Sequence, residues 1–223
     1  RRVLFRSAFI DFRKAFDSVN RNKMLYQLLH HGVHRKQLLY RILQSMYEHV
    51  QACVKFDSSI TDIFSTSSGV RQGCMLSPLL FIFFINQLAL DLQNADCNGI
   101  FVNDSIDIIK LLLFADDIVL VADSVVDLQR KLNCLELFCD KWGLVVNMEK
   151  SNVIVFRNGG ILKHVEKWHY KGNPLKIVSY YKYLGVIFSS RLCWSTACET
   201  LANQALKACL PIYKLMKNYP YRS

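Results

Sequence analysis

The chain has 223 residues, 52% of them hydrophobic and 21% charged, a make-up that excludes a disordered tail and provides a sizeable core for one large domain or two small ones. Its formal net charge of +10 suits a polyanionic partner such as nucleic acid. The most apolar run, residues 79–85, is too short to cross a bilayer, no signal peptide is visible, and the eight cysteines show no C-x-x-C pair; a soluble, intracellular protein with reduced thiols is expected.

Residues 1–7 fit poorly with the strand after them and read as a non-native tail outside the fold. Residues 8–12 form a short strand that carries Asp11 at its end. Asn20 opens a helix through His31, with Met24, Leu25, Leu28 and Leu29 on its apolar side, and Gly32 ends it. A second helix over 35–47 has the stripe Leu38, Leu39, Ile42, Leu43 and Met46. Residues 50–56 and 60–66 alternate like a hairpin around Asp57-Ser58-Ser59. A glycine-containing loop over 67–77 leads to Pro78, which starts a helix to about Leu92.

Residues 106–114 are the first arm of a hairpin whose second arm is apolar and β-branched, and Asp116-Asp117 falls at the bend. An amphipathic helix spans 125–142, with Leu128, Leu132, Leu135 and Phe138 on one side and Gly143 in the C-cap place. Strands come next at 153–156, near 175–178 and at 183–188, and a last helix over 196–217 is interrupted by Pro211. Strands and helices mix without strict βαβ alternation. The expected fold is therefore α+β, an antiparallel sheet with helices packed on one face.

The acidic pair dominates the chemistry. Two adjacent ionised carboxylates between apolar arms repel each other and are costly to bury without a positive partner. A divalent metal meets that need, and a solvated tight turn is the plainer alternative. Asp11, at a strand end, can complete a three-carboxylate cluster, the arrangement that holds two Mg²⁺ ions about 3.5–4 Å apart in phosphoryl transfer. Asp17 is explained by the needs of its loop, and the histidines have no ligand spacing.

The run from Phe9 to Val19, Phe-Ile-Asp-Phe-Arg-Lys-Ala-Phe-Asp-Ser-Val, resembles motif A of the reverse transcriptases of non-LTR (LINE-type) retrotransposons. Gly69-Val70-Arg71-Gln72-Gly73 through Leu79 resembles motif B, Phe114-Ala115-Asp116-Asp117 motif C, Gly143 through Ser151 motif D, and Tyr183-Leu184-Gly185-Val186 the primer-grip motif E. The resemblance implies a right-hand polymerase, with palm and partial fingers over 8–190 and the start of the thumb over 191–223. It implies an RNA-directed DNA polymerase that extends a DNA primer on an RNA template from deoxynucleoside triphosphates, using two Mg²⁺ ions (or Mn²⁺).

Residue by residue, the resemblance makes Asp11, Asp116 and Asp117 the catalytic metal ligands. Phe16 becomes the ring that excludes a 2′-OH, where RNA-dependent RNA polymerases usually have an acidic residue. Gln72 and Gly73 would face the template and new base pair, Lys150 would protonate the pyrophosphate, and Tyr183, Leu184 and Gly185 would support the primer. It also implies a place in the nucleus or cytoplasm within a retrotransposon ribonucleoprotein. The family's upstream fingers, most of its thumb and an endonuclease fall outside these residues, so this stretch alone is expected to polymerise weakly or not at all. The alternative is an inactive or co-opted remnant that binds nucleic acid without turnover.

Overall fold

A computed structural model describes residues 3–103, 106–162 and 164–218. In chain order, β1 (Val3–Ile10) leads to a single helical turn α1 (Ala15–Ser18), then α2 (Arg21–His30) and α3 (Leu38–Glu48). Two small ladders come after them, β2 (Gln51–Ala52) with β5 (Phe64–Ser65) and, inside them, β3 (Lys55–Phe56) with β4 (Ser59–Ile60). Next are α4 (Ser77–Asn94), the hairpin β6 (Ile100–Asn103) and β7 (Ile106–Ile109), the hairpin β8 (Leu111–Phe114) and β9 (Asp117–Ala122), and α5 (Val125–Trp142). The chain continues through β10 (Asn152–Arg157), β11 (His169–Tyr170), β12 (Asn173–Pro174), β13 (Lys176–Ile177), the hairpin β14 (Tyr180–Tyr183) and β15 (Val186–Ser189), and α6 (Ser195–Asn218).

The main sheet has the order β13-β10-β1-β9-β8, antiparallel except for the edge pair β10–β13, which is parallel. Side chains on β1, β9 and β10 alternate between two apolar faces, as the two-residue strand period requires. On one face Ala8, Ile10, Ile118, Leu120, Ala122, Val153 and Val155 share a buried core with Met24 and Leu28 of α2, Phe81, Phe84 and Leu88 of α4, and Leu128, Leu132 and Leu135 of α5. The opposite face is a second, smaller core: Phe9, Val119, Val121, Ile154 and Phe156 meet Tyr181, Tyr183 and Phe188 of the β14–β15 hairpin together with Ile100 and Ile109. Among the described residues, helices α2, α4 and α5 therefore cover one face, and hairpins close the other.

Several elements depart from the sequence-based expectations. Residues 1–7 read from the sequence as a tail outside the fold, yet residues 3–7 form the first half of β1, paired with β10 and, from Arg6 onward, with β9. Arg6 is buried because its Nε (3.0 Å) and Nη2 (2.6 Å) both donate to the Glu166 carboxylate, a bidentate pair 160 residues apart in sequence. The arm expected over 106–114 is two strands belonging to different hairpins, divided at Lys110. The strand expected over 183–188 is the end of β14, a two-residue turn and β15; Leu184 (φ 47°) and Gly185 (φ 84°) both take the left-handed conformation such hairpin turns require. Helix α6 runs through Pro211 without a break, and α3 buries Tyr40, Leu43 and Tyr47 while Leu38, Leu39 and Ile42 face solvent.

Candidate active site

The β1–β9 register fixes the first two carboxylates. Ile10 pairs with Ile118 in an antiparallel ladder, so Asp11, one residue on, and Asp117, one residue back, fall on the next rung. Neighbours so placed hold their Cβ atoms about 4.5–5.5 Å apart. Asp116 is placed by the tight β8–β9 turn, where Phe114 pairs with Asp117 and only Ala115 and Asp116 lie between. Ala115 sits at φ 52°, a left-handed conformation uncommon for a residue with a Cβ. Burial first, then the charges of Asp116 and Asp11, push the Asp117 carboxyl above its ordinary pKa. All three acidic groups thus converge at one end of the sheet. Among the described residues, no three His, Cys, Asp or Glu side chains are arranged so that they could hold a metal ion; the three carboxylates share one end of the sheet as an open array.

Asp11 is tied down by the loop after α5. Asn147 donates twice to it, from its backbone N to the Asp11 carbonyl (2.8 Å) and from Nδ2 to Oδ2 (3.1 Å), and the Asp11 backbone N donates to Ser151 Oγ (3.1 Å). A bridge between Phe12 and Val146 and the bond from Arg13 N to Val145 O (2.8 Å) extend the contact. The loop can reach this place because Gly143, at φ 81°, ends α5 with a left-handed cap that turns the chain back. Asn147 and Ser151 were visible only as members of a motif; their bonds to Asp11 give them a role in orienting it.

A cleft of about 950 Å³ opens over this end of the sheet, lined by Asp11, Asp116, Arg13, Lys14, Asn147 and Lys150 among others. Arg13 and Lys14, which the sequence did not single out, face the same space as the carboxylates, and so does exposed Lys150. Asp117 does not line this cleft and lies toward the β14–β15 hairpin. After burial, its charge is what raises the hydroxyl pKa of both Tyr181 and Tyr183.

Phe16 is half-buried and stacks on Phe81 of α4 at 4.5 Å between ring centroids. It shares a shallow hollow of about 360 Å³ with Arg71, Gln72, Gly73, Met75 and Pro78. Gln72 Nε2 donates to Asp17 Oδ1 (2.9 Å), so Asp17 serves the loop geometry expected of it. Gly73 is at φ +81° with nothing within 4 Å of where a Cβ would stand; its backbone conformation, not crowding by the protein, calls for glycine. Tyr183 packs against Phe9 (5.6 Å) beside the Tyr181–Phe9 stack (4.4 Å), which anchors the hairpin tip next to Asp117. Leu184 is 49% exposed at that tip and contributes nothing to the core.

A sheet with helices on one face, a hairpin bearing paired aspartates and a strand-end aspartate beside it define the palm of a right-hand polymerase. Residues 7–188 match the family model of reverse transcriptase (RNA-dependent DNA polymerase). The chain belongs to the reverse transcriptase family, and its relatives place it with the non-LTR retrotransposon members. It is 30% identical to the Transposon TX1 149 kDa protein of Xenopus laevis, a match covering 81% of this chain and 13% of that one. The RNA-directed DNA polymerase from mobile element jockey of Drosophila funebris is 26% identical over 83% of this chain and 20% of its own length. The Pol polyprotein of retrotransposable element R2 from Nasonia vitripennis is 29% identical over 82% of this chain and 18% of its own. The chain therefore spans a fifth or less of the length of these curated relatives. The fold is shared with the apo telomerase of Candida tropicalis truncated from its C-terminal domain, at a TM-score of 0.56 and 16% identity, covering 83% of this chain and 34% of that one.

Proposed function

We propose that this chain is the catalytic palm of an RNA-directed DNA polymerase that extends a DNA 3′ end on an RNA template, with Asp11, Asp116 and Asp117 holding two divalent cations. One observation carries the reading: Asp11 and Asp117 share a rung beside the Asp116 turn, and the Asp117 carboxyl is raised by burial and by those two charges. Hard carboxylate oxygens whose mutual repulsion is uncompensated fit Mg²⁺, with Mn²⁺ as a substitute. Mg²⁺ commonly uses one or two carboxylates together with waters and substrate phosphates, so an open array suffices. When bound, the ions supply a lowered pKa for the primer 3′-OH and charge neutralisation at the transferring phosphoryl group.

The protein's own side chains then divide the substrate among them. Arg13, Lys14 and Lys150 face the cleft and are placed to meet the triphosphate, with Lys150 as the proton donor to pyrophosphate. Phe16, braced by Phe81, presents its ring to the sugar and leaves no room for a 2′-OH. Gln72 and Gly73 face the template and the nascent base pair, and Tyr183, Leu184 and Gly185 support the primer backbone. Residues 3–190, with the whole of β1, form the palm with part of the fingers, and residues 191–218 begin the thumb. The setting we propose for it is a retrotransposon ribonucleoprotein in the nucleus or cytoplasm.

The test is extension of a DNA primer on an RNA template by a polypeptide that completes this chain with fingers and thumb. Asp116→Asn is expected to lower incorporation about a thousandfold or more, since it removes a charge the transition state needs. Undiminished extension overturns the proposal. Primer–template binding by the unsubstituted protein with no incorporation at all points instead to a remnant that holds nucleic acid without turnover.

A further inference from the structure

Arg21 is the first residue of α2, a place where an arginine ordinarily points into solvent, yet it is only 8% exposed. Its guanidinium turns back and donates four hydrogen bonds into one short segment. Nε reaches Gly69 O (2.8 Å), Nη1 reaches Thr66 O, and Nη2 reaches both Thr66 Oγ1 (3.0 Å) and Ser68 O (2.7 Å). The Tyr47 ring lies beneath it, 5.8 Å from the guanidinium carbon. A planar five-donor fork can satisfy such a set of oxygens; an ammonium, with one nitrogen, cannot span it.

The segment so gripped leads straight into the loop of Gln72 and Gly73, and it is fastened to the turn that carries Phe16. Gly69 N donates to Val19 O (2.8 Å) and Val70 N to Phe16 O (2.9 Å). Gly69 approaches that turn so closely that a Cβ on it would stand 2.8 Å from Asp17 O. Gln72 then bonds Asp17, and at the far end of the loop Ser77 Oγ donates to Arg71 O (2.6 Å), with the Tyr47 hydroxyl 3.4 Å from that Ser77 Oγ. Arg21 and Tyr47 thus bracket the loop from both ends.

We infer that Arg21 is a positioning residue that locks the Gln72–Gly73 loop onto the Phe16 turn, so that the surface meeting the base pair and the ring meeting the sugar form one rigid body. The sugar selectivity assigned to Phe16 is then set jointly by Phe16 and by Arg21, which does not touch the nucleotide. This rests on the proposed function for the roles of Phe16 and Gln72.

Two readouts test it, with Arg21→Lys and Arg21→Met. In the full chain, hydrogen exchange of the Gly69 and Val70 amides is expected to quicken about tenfold or more, the scale of local opening when a charge-assisted bond is lost, with β1 and β9 still protected. In the polymerising polypeptide, the preference for deoxy- over ribonucleotide is expected to fall about tenfold, mainly through a lower KM for the ribonucleotide, whose 2′-OH the loosened ring admits. A purely stabilising role lowers the amount of active protein and leaves that ratio unchanged, which overturns the inference; so does unaltered exchange at residues 69–70. Full retention of both properties by Arg21→Lys overturns the claim that the fork matters. If the unsubstituted polypeptide incorporates nothing, the proposed function fails, while the exchange result still decides whether Arg21 joins loop and turn.

Discussion

Asp117 is the acidic side chain that the fold itself works against. Burial and the charges of Asp116 and Asp11 raise its folded pKa above the unfolded value, so the folded state holds the proton more tightly. Stability is then lost as pH rises from about 3.9, the unfolded value, through the folded pKa. Asp117→Asn, which keeps the shape and removes the charge, should therefore melt higher than the unsubstituted protein at pH 7 in chelator, by about 2–4 °C for each kcal/mol at this chain length. Near pH 3 the two should melt together. Mg²⁺ at ten times its Kd should stabilise the unsubstituted protein by about 1.4 kcal/mol and Asp117→Asn by less, narrowing or reversing the order. Identical melting at pH 7 in chelator contradicts this account. The carboxylates themselves were legible, because paired aspartates between apolar arms suit little besides a cation or a solvated turn. Asn147 and Arg21 were not, since a polar side chain that bonds backbone far away in sequence leaves no periodic trace.

Among elements, the β8–β9 hairpin depends on α5 behind it. Lys131 of α5 is fully buried and donates to the carbonyls of Val121 and Lys110 (3.4 Å), at the base of both arms. Asp127 lies 3.1 Å from the same ammonium, off the hydrogen-bonding direction, and its other oxygen accepts from Asn98 N (2.8 Å). Lys131→Met leaves a buried carboxylate without its cation and should cost about 3–5 kcal/mol in denaturant unfolding. Adding Asp127→Asn should recover much of that loss; a double variant no more stable than Lys131→Met would show that packing, not charge, fixes the helix to the hairpin. Gly69→Ala, strained both by φ +83° and by contact with Asp17, should cost about 1–3 kcal/mol in the same measurement. Helix α5 was readable in its bounds and in Gly143, which caps its finish; the structure adds Ser124, which caps its start by accepting from Asp127 N. The first half of β1 was not, because Arg6 looks foreign to a central strand until Glu166 is seen beside it. Nor was the break at Lys110, where one apolar run serves two hairpins.

For the molecule as a whole, the α+β class was legible in the order of elements, and the helical face in the amphipathic spacing of α2 and α5. The second face stayed hidden. Its cover comes from short strands at 100–103, 106–109, 180–183 and 186–189, too brief for a period to show, and Phe9, Val119 and Val121 read equally well as facing either layer. The net charge of +10 belongs to this scale. If the protein neutralises about 6–10 phosphates of a primer–template, affinity should fall about 10³–10⁵-fold between 50 and 200 mM salt; a flat salt dependence in a fluorescence-anisotropy titration would contradict the assignment of that charge to nucleic acid. The most direct test of the central claim counts the ions held by Asp11, Asp116 and Asp117. In a Mn²⁺ titration monitored by electron paramagnetic resonance, with primer–template and deoxynucleotide present, the unsubstituted protein should bind two more ions than the triple variant Asp11→Asn, Asp116→Asn, Asp117→Asn. Equal binding by the two proteins would show that these carboxylates do not form a metal site.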